Sequence, residues 1–293
     1  MKYQGLYTAI VTPFKNGVVD YDAYKALIEA QIAGGVDGIV PMGTTGESPT
    51  VSTEEHLEII RKCVEFVAGR CQVIAGTGAN CTADAIELTK AAAAMGVDGT
   101  LQVCPYYNKP NQEGVYQHFK AIAEATDLPI MLYSIPGRSG IEIAVDTVVR
   151  LAKDCPTIVA IKEAGGSVER VNQLVQALPE DFAVLSGDDG LTVPFISCGA
   201  VGLVSVTSNV APAEMKALVD TALSGDGKKA LELQKQYYPL MKGLMSLDVN
   251  PVPIKAALAL RGNIGWDIRL PLVPLAADKH ATLEALLKRF NLM

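Results

Sequence analysis

Short apolar runs alternate with segments of helical period eight times along this chain, and that alternation restricts the fold more than any other feature of the sequence. The runs predict strands at residues 7–11, 38–42, 72–75, 99–103, 129–133, 158–162, 183–185 and 202–206. Helices are expected near 21–33, 53–68, 82–95, 112–125, 145–153, 168–177, 191–197 and 212–223. Start and stop chemistry agrees. Ser52-Thr53-Glu54-Glu55 and Thr82-Ala83-Asp84 put a hydroxyl and then carboxylates at helix N-termini, and Gly34-Gly35, Gly69 and Gly96 stand where left-handed residues end helices. Eight βα units in about 220 residues predict a (β/α)8 TIM barrel in preference to an open doubly wound sheet. After Gly225-Asp226-Gly227 the strand signal stops, and 228–247, 253–261 and 278–290 read as helices. The expected organisation is a catalytic barrel over 1–224 and a C-terminal helical region over 225–293, with no flexible linker between them.

Composition narrows the range of partners. Of 293 residues 49% are hydrophobic, enough for a large core without staples. A net charge of −7 with no basic run argues against nucleic acid and against anionic membrane surfaces. Met1-Lys2-Tyr3-Gln4-Gly5 carries no apolar leader pattern, and no run reaches the ~20 apolar residues that span a bilayer, so a cytoplasmic location is expected. Six cysteines without a C-x-x-C pair read as reduced core thiols, and His56, His118 and His280 lack the spacing of metal ligands. No metal is expected.

Chemistry is most legible at Ile158-Val159-Ala160-Ile161-Lys162-Glu163-Ala164-Gly165. An apolar run without polar alternation suits a strand covered on both faces, so Lys162 emerges where that strand leaves the core. A lysine amine has a reference pKa of about 10.4, and partial burial favours its neutral form, which attacks carbonyl carbons. An ion pair with Glu163 is the plain alternative. Adjacent strand residues point to opposite faces, however, which places Glu163 poorly for that role.

In a barrel of this kind the reacting groups gather at the C-terminal ends of the strands. Those ends run into Gly43-Thr44-Thr45-Gly46-Glu47-Ser48, Pro105-Tyr106-Tyr107-Asn108-Lys109-Pro110, Tyr133 with Ser134-Ile135-Pro136-Gly137-Arg138-Ser139-Gly140, Lys162, Ser186-Gly187-Asp188-Asp189, and Thr207-Ser208-Asn209. Singly, Gly-Thr-Thr-Gly could be a tight turn, the tyrosines rim aromatics and Arg138 a surface cation. Together they supply a carboxylate cradle, a phenol with hydroxyl partners and a guanidinium fork, a set suited to carbonyl condensation with acidic substrates. Gly76-Thr77-Gly78 lacks the third glycine of a dinucleotide loop. Asp188-Asp189 would repel a phosphate and read as helix N-terminal residues.

Gly43-Thr44-Thr45-Gly46-Glu47, Pro105-Tyr106-Tyr107-Asn108-Lys109-Pro110, Tyr133, Pro136-Gly137-Arg138-Ser139-Gly140 and Ile161-Lys162-Glu163-Ala164 together resemble the 4-hydroxy-tetrahydrodipicolinate synthases, also called dihydrodipicolinate synthases. The likeness extends over the full length, including Thr12-Pro13, Leu185-Ser186-Gly187-Asp188-Asp189 and the helical C-terminus. It implies that Lys162 forms a Schiff base with pyruvate and that the enamine adds to aspartate 4-semialdehyde, with no cofactor beyond this covalent link. It further implies that Thr45 holds the pyruvate carboxylate with Thr44 nearby, that Gly187 and the backbone of Val204 lie at the pyruvate end, and that Tyr133 relays protons with Thr44 and Tyr107. By the same likeness Tyr107 reaches in from a neighbouring subunit, Arg138 binds the semialdehyde carboxylate, and the protein is a homo-oligomer, a tetramer of tight dimers or a dimer. An L-lysine feedback site is implied near Ser48, Pro49, His56, Asn80, Asp84 and Tyr106. Ser134, Ser139, Thr53 and Asp84 depart from residues common in the family, and the shorter Asp84 implies altered lysine affinity. Two rival readings stay open: a lyase for N-acetylneuraminate or a 2-keto-3-deoxy sugar acid, and a non-catalytic binding barrel. Arg138 speaks against the first, because a polyol tail needs hydroxyl partners.

Overall fold

The computed structural model describes residues 3–293; Met1 and Lys2, with which the N-terminal reading began, lie outside them. Eight parallel strands close into one barrel: β1 (Gly5–Ala9), β2 (Gly38–Val40), β3 (Gln72–Gly76), β4 (Gly99–Val103), β5 (Ile130–Ser134), β6 (Ile158–Glu163), β7 (Ala183–Ser186) and β8 (Gly202–Ser205). Each pairs with its neighbours in chain order, and β8 returns to β1 through Gly5↔Gly202 and Tyr7↔Val204. The (β/α)8 barrel expected from the alternation is the observed fold.

Helices α1 (Tyr21–Ala33), α2 (Thr53–Val67), α3 (Thr82–Ala94), α4 (Gln112–Ala123), α5 (Val145–Asp154), α6 (Val168–Ala177), α7 (Thr192–Ser197) and α8 (Pro212–Leu223) follow the strands. Beyond them come α9 (Gly227–Ser246), α10 (Val252–Leu260) and α11 (Ala277–Arg289). Local chemistry sets most of these ends. Ser52 and Glu55 form a reciprocal capping box at α2, and Gly35, Gly69 and Gly96 take left-handed conformations after α1, α2 and α3. Thr82 opens α3 as its first residue, with Asp84 in the first turn, but it does not cap the helix: its hydroxyl meets His118 Nδ1 at 2.9 Å.

Two differences from the sequence reading have clear causes. The first strand lies earlier than 7–11, because the Val11 N–H is taken by Asn209 Oδ1 at 3.1 Å although Ile10 and Val11 stay buried. Apolarity therefore outlasts the ladder. A two-stranded hairpin, Phe14–Lys15 with Val18–Val19, turns through Asn16 and Gly17 at φ 54° and 81°.

The core forms concentric layers. Tyr7, Val40, Leu101, Met131, Ala160 and Val204 are among the side chains that fill the barrel interior, while larger clusters lie between strands and helices. One of those clusters runs from Ile28 of α1 through Leu240 of α9 and Ile254 of α10 to Leu287 of α11, so the C-terminal helices share a core with the barrel wall. Among the described residues no helix is long and apolar enough to cross a membrane.

Candidate active site

Lys162 owes its position to an irregularity in β6. The β5–β6 register shifts so that Ile130 faces Ile158 but Met131 faces Ala160, leaving Val159 as the extra residue of a bulge. Ala160 therefore points into the barrel, Ile161 outward, and Lys162 inward beside Tyr133, its Cα partner on β5. Lys162 is only 5% exposed, and its Nζ stands 4.2 Å from the centroid of the Tyr133 ring. Gly187, just past β7, makes room for it. A Cβ there would lie 2.9 Å from Lys162 Cε and 2.7 Å from the Ala164 Cβ.

Glu163 faces the other way, as strand alternation requires. Its fully buried carboxylate accepts from Arg170 Nε of α6 at 2.8 Å and from the Gly165 N–H at 2.7 Å. Burial raises its pKa, against the pull of the guanidinium. The pair therefore fixes the outer face of β6 and leaves the inner amine unneutralised by Glu163.

The loop after β2 is tightly folded. Its Gly46 and Glu47 N–H groups return to the carbonyls of Gly43 and Thr44, each at 3.1 Å, and Thr12 Oγ1 donates to the Gly46 carbonyl at 2.7 Å. Thr45 is buried and its Oγ1 accepts from Asn250 Nδ2 at 3.0 Å. The Asn250 carbonyl in turn accepts from Arg138 Nη2 at 2.9 Å. Glu47 holds the end of the loop through Lys255 Nζ at 2.5 Å and the Arg269 N–H at 3.1 Å. Burial lowers the Lys255 pKa, and the Glu47 carboxylate opposes that shift. Asn250, Lys255 and Arg269 were invisible to motif reading; their only local signal is the Asn250-Pro251-Val252-Pro253 punctuation before α10.

Thr44, Tyr133 and Arg138 line one cavity of about 200 Å³ at the C-terminal mouth of the barrel, with Gly43, Val103 and Ser139. Val204 is buried on β8 and Gly187 borders a second hollow of about 410 Å³ towards α9. Arg138 sits exposed on a single helical turn, Pro136–Ser139, closed by Ser139 Oγ on the Ile135 and Ile141 carbonyls. Tyr107 is not brought to the mouth within this chain. It is 90% exposed, with φ 72°.

Ser48, Pro49 and Tyr106 belong to the cavity and also to an adjoining cleft of about 490 Å³ that adds His56, Asp84 and Glu87. His56 Nε2 lies 2.8 Å from the Gly76 carbonyl, and burial lowers its pKa, so Nε2 carries the hydrogen and Nδ1 is left as an acceptor. Asn80 braces this region from the side, donating to the Tyr106 carbonyl at 3.2 Å.

Asp188 and Asp189 both stand at the N-terminus of a short helical turn, residues 189–191, as the sequence reading expects. Asp188 accepts from the Gly190 N–H at 2.9 Å. Asp189 is buried, and its carboxylate takes the Ser205 hydroxyl and the N–H groups of Val206 and Thr207, tying β7 to the end of β8. Among the described residues no group of three His, Cys, Asp or Glu side chains is placed to hold a metal.

Known proteins are similar to this chain over almost its whole length. The profile of the Dihydrodipicolinate synthetase family matches residues 2–290. The 4-hydroxy-tetrahydrodipicolinate synthase of Albidiferax ferrireducens is 51% identical over 290 residues, which cover 99% of this chain and 97% of that protein. The solved synthase of Methylacidiphilum fumariolicum SolV is 54% identical, with a TM-score of 0.97 over 99% of this chain and 96% of the other. The chloride-inhibited enzyme of Acinetobacter baumannii, solved with pyruvate, is 46% identical with a TM-score of 0.96 over 99% of each chain. A barrel matched over its whole length, with a buried lysine beside a tyrosine at its mouth, places this chain in the dihydrodipicolinate synthetase family.

Proposed function

We propose that the protein condenses pyruvate with L-aspartate 4-semialdehyde to 4-hydroxy-tetrahydrodipicolinate, through a Schiff base on Lys162 and without an external cofactor. The observation that carries this reading is the inward Lys162 amine, buried against Tyr133 while Glu163 is engaged by Arg170 on the opposite face. The amine attacks the pyruvate carbonyl carbon and expels water, the imine loses a methyl proton to give an enamine, and the enamine carbon attacks the semialdehyde. Ring closure by the semialdehyde amino group then releases the lysine. Thr45 and Thr44 hold the pyruvate carboxylate, with Gly187 and Val204 at its inner end, and Tyr133 moves protons with Thr44. Arg138 sits at the rim, where a fork for the semialdehyde carboxylate is needed. Incubation with pyruvate and borohydride should add one reduced pyruvate to the peptide containing Lys162, and Lys162→Ala should abolish the label. An unlabelled wild-type protein would remove the Schiff-base assignment.

Tyr107 supports a homo-oligomer, a dimer or a tetramer of dimers, in which this exposed, left-handed tyrosine completes a neighbour's relay. A fully active monomer in sedimentation would contradict it. A feedback role for the adjoining cleft is supported by the acceptors it presents, Asp84, Glu87 and His56 Nδ1, which suit an amine-bearing ligand such as L-lysine. The relative from Cyanidioschyzon merolae, 43% identical with a TM-score of 0.96 over 100% of this chain, was solved with lysine bound. Lysine inhibition that survives Asp84→Ala unchanged would argue against this cleft. A cytoplasmic location fits a biosynthetic role and six cysteines left as free thiols, of which Cys63, Cys104 and Cys155 are core residues as read, whereas Cys71 and Cys198 are half-buried and Cys81 is exposed.

A further inference from the structure

The loop that presents Thr44 and Thr45 is held from the far end of the chain. Asn250 reaches Thr45 just before α10, and Lys255, one turn into that helix, reaches Glu47. Both partners of the Glu47–Lys255 pair are almost completely buried, with side-chain exposures of 1% and 4%. Phe14 floors the pair: Lys255 Nζ lies 4.4 Å and Arg269 Cζ 4.3 Å from its ring centroid. Arg269 continues outward to Glu55 of α2 through two bonds of 2.7 Å.

Two features are hard to explain as stability alone. A buried ion pair stabilises a fold little compared with apolar side chains of equal volume, because desolvation offsets the attraction. Glu47 also adopts φ 59°, a left-handed backbone that non-glycine residues rarely take, and it does so two residues after Thr45. A glycine would accept that backbone freely, yet only a carboxylate can engage Lys255 and the Arg269 N–H together. What the pair gives the fold is direction: it fixes where the loop ends, and so where the two threonine hydroxyls stand.

We propose that Glu47 and Lys255 are positioning residues for pyruvate, a buried latch through which α10 sets the Thr44-Thr45 carboxylate cradle. This rests on the Schiff-base reading above, in which those threonines hold the pyruvate carboxylate. The latch touches no reacting atom. Its loss therefore weakens capture of pyruvate and leaves recognition of the second substrate at Arg138 intact.

The test is steady-state kinetics on Lys255→Met and on the charge-neutral double variant Glu47→Gln/Lys255→Met, with near-UV circular dichroism to establish native packing. The double variant keeps no buried charge, so it folds even where the single variant fails. A displacement of the cradle by a fraction of an ångström should raise the half-saturating pyruvate concentration about tenfold to hundredfold, with that for the semialdehyde within about twofold of wild type. Lys255→Arg, which keeps a cation in reach of Glu47, should recover most of the loss. Hydrogen exchange on the unaltered protein needs no variant: the Gly46 and Glu47 amides should be protected like those of the barrel strands. A natively packed double variant with wild-type pyruvate dependence overturns the proposal, as does exchange of those amides as fast as at Asn108. Failure of the wild-type protein to trap pyruvate refutes the Schiff-base reading itself; trapping with unaltered variant kinetics refutes the latch alone.

Discussion

Gly187→Ala is the smallest change that should reach Lys162, the proposed nucleophile. The new methyl would stand 2.9 Å from Lys162 Cε, 3.1 Å from its Cγ and 2.7 Å from the Ala164 Cβ. Carbon atoms rest at about 3.5–4.0 Å, so the lysine stem must move by roughly 0.5–1 Å or the loop after β7 must lift. The loop is restrained, because the Gly187 N–H donates to the Glu163 carbonyl at 2.8 Å, so the flexible lysine gives way. A displacement of that size at a reacting atom costs about ten- to a hundredfold in rate, and overpacking costs about 1–3 kcal/mol of stability. The assay is the rate of borohydride trapping with pyruvate, followed by mass spectrometry on samples whose near-UV spectrum is native. Gly227→Ala serves as the control, since nothing lies within 4 Å of a Cβ there. Wild-type trapping by a folded Gly187→Ala protein would show that Lys162 is not confined by its neighbours as described.

Arg138→Ala should leave pyruvate trapping intact while raising the semialdehyde requirement about ten- to a hundredfold, the worth of a charged hydrogen bond; a lost adduct would move Arg138 into the Schiff-base step. Arg170→Met strands the buried Glu163 carboxylate and should cost about 3–5 kcal/mol in urea unfolding, recovered in Glu163→Gln/Arg170→Met. Because burial already raises the Glu163 pKa, acidification should restore part of the single variant's stability, and a loss that deepens at lower pH would contradict this. Burial depresses the His118 pKa from 6.5 to about 4. The unfolded chain therefore binds a proton that the folded chain refuses, and stability attributable to His118, present above pH 6.5, should fall by up to about 3 kcal/mol as pH drops towards 4. Parallel stability–pH curves for wild type and His118→Gln would refute that.

Much of the barrel was legible because the strands are runs largely buried on both faces and several helices, α1, α2, α4, α6 and α9, carry their own side-chain caps. The boundaries that slipped did so where burial and hydrogen bonding part company. Ile10 and Val11 are as buried as the strand before them, yet Asn209 takes the bond that would have extended the ladder. The hairpin had a readable Asn16-Gly17 signal, overshadowed by the longer βα pattern. At the site, Lys162, Tyr133 and Thr44 announce themselves as polar residues at the ends of apolar runs or between glycines. Asn250 and Lys255 make their decisive contacts with residues 205 and 208 positions away, a separation that no local pattern encodes. Asp189 stands at a helix N-terminus as read, but its partners on and beyond β8 exist only once the barrel closes.

The dependence of the cradle on α10 also sets an order of events during synthesis. Lys162 and Tyr133 leave the ribosome with the sheet, but the threonine loop, tied early by Thr12, lacks its bonds to Asn250, Lys255 and Arg269 until those residues have been made and docked. On the proposed Schiff-base chemistry, a growing chain thus carries its reactive amine well before it can seat a keto acid beside it.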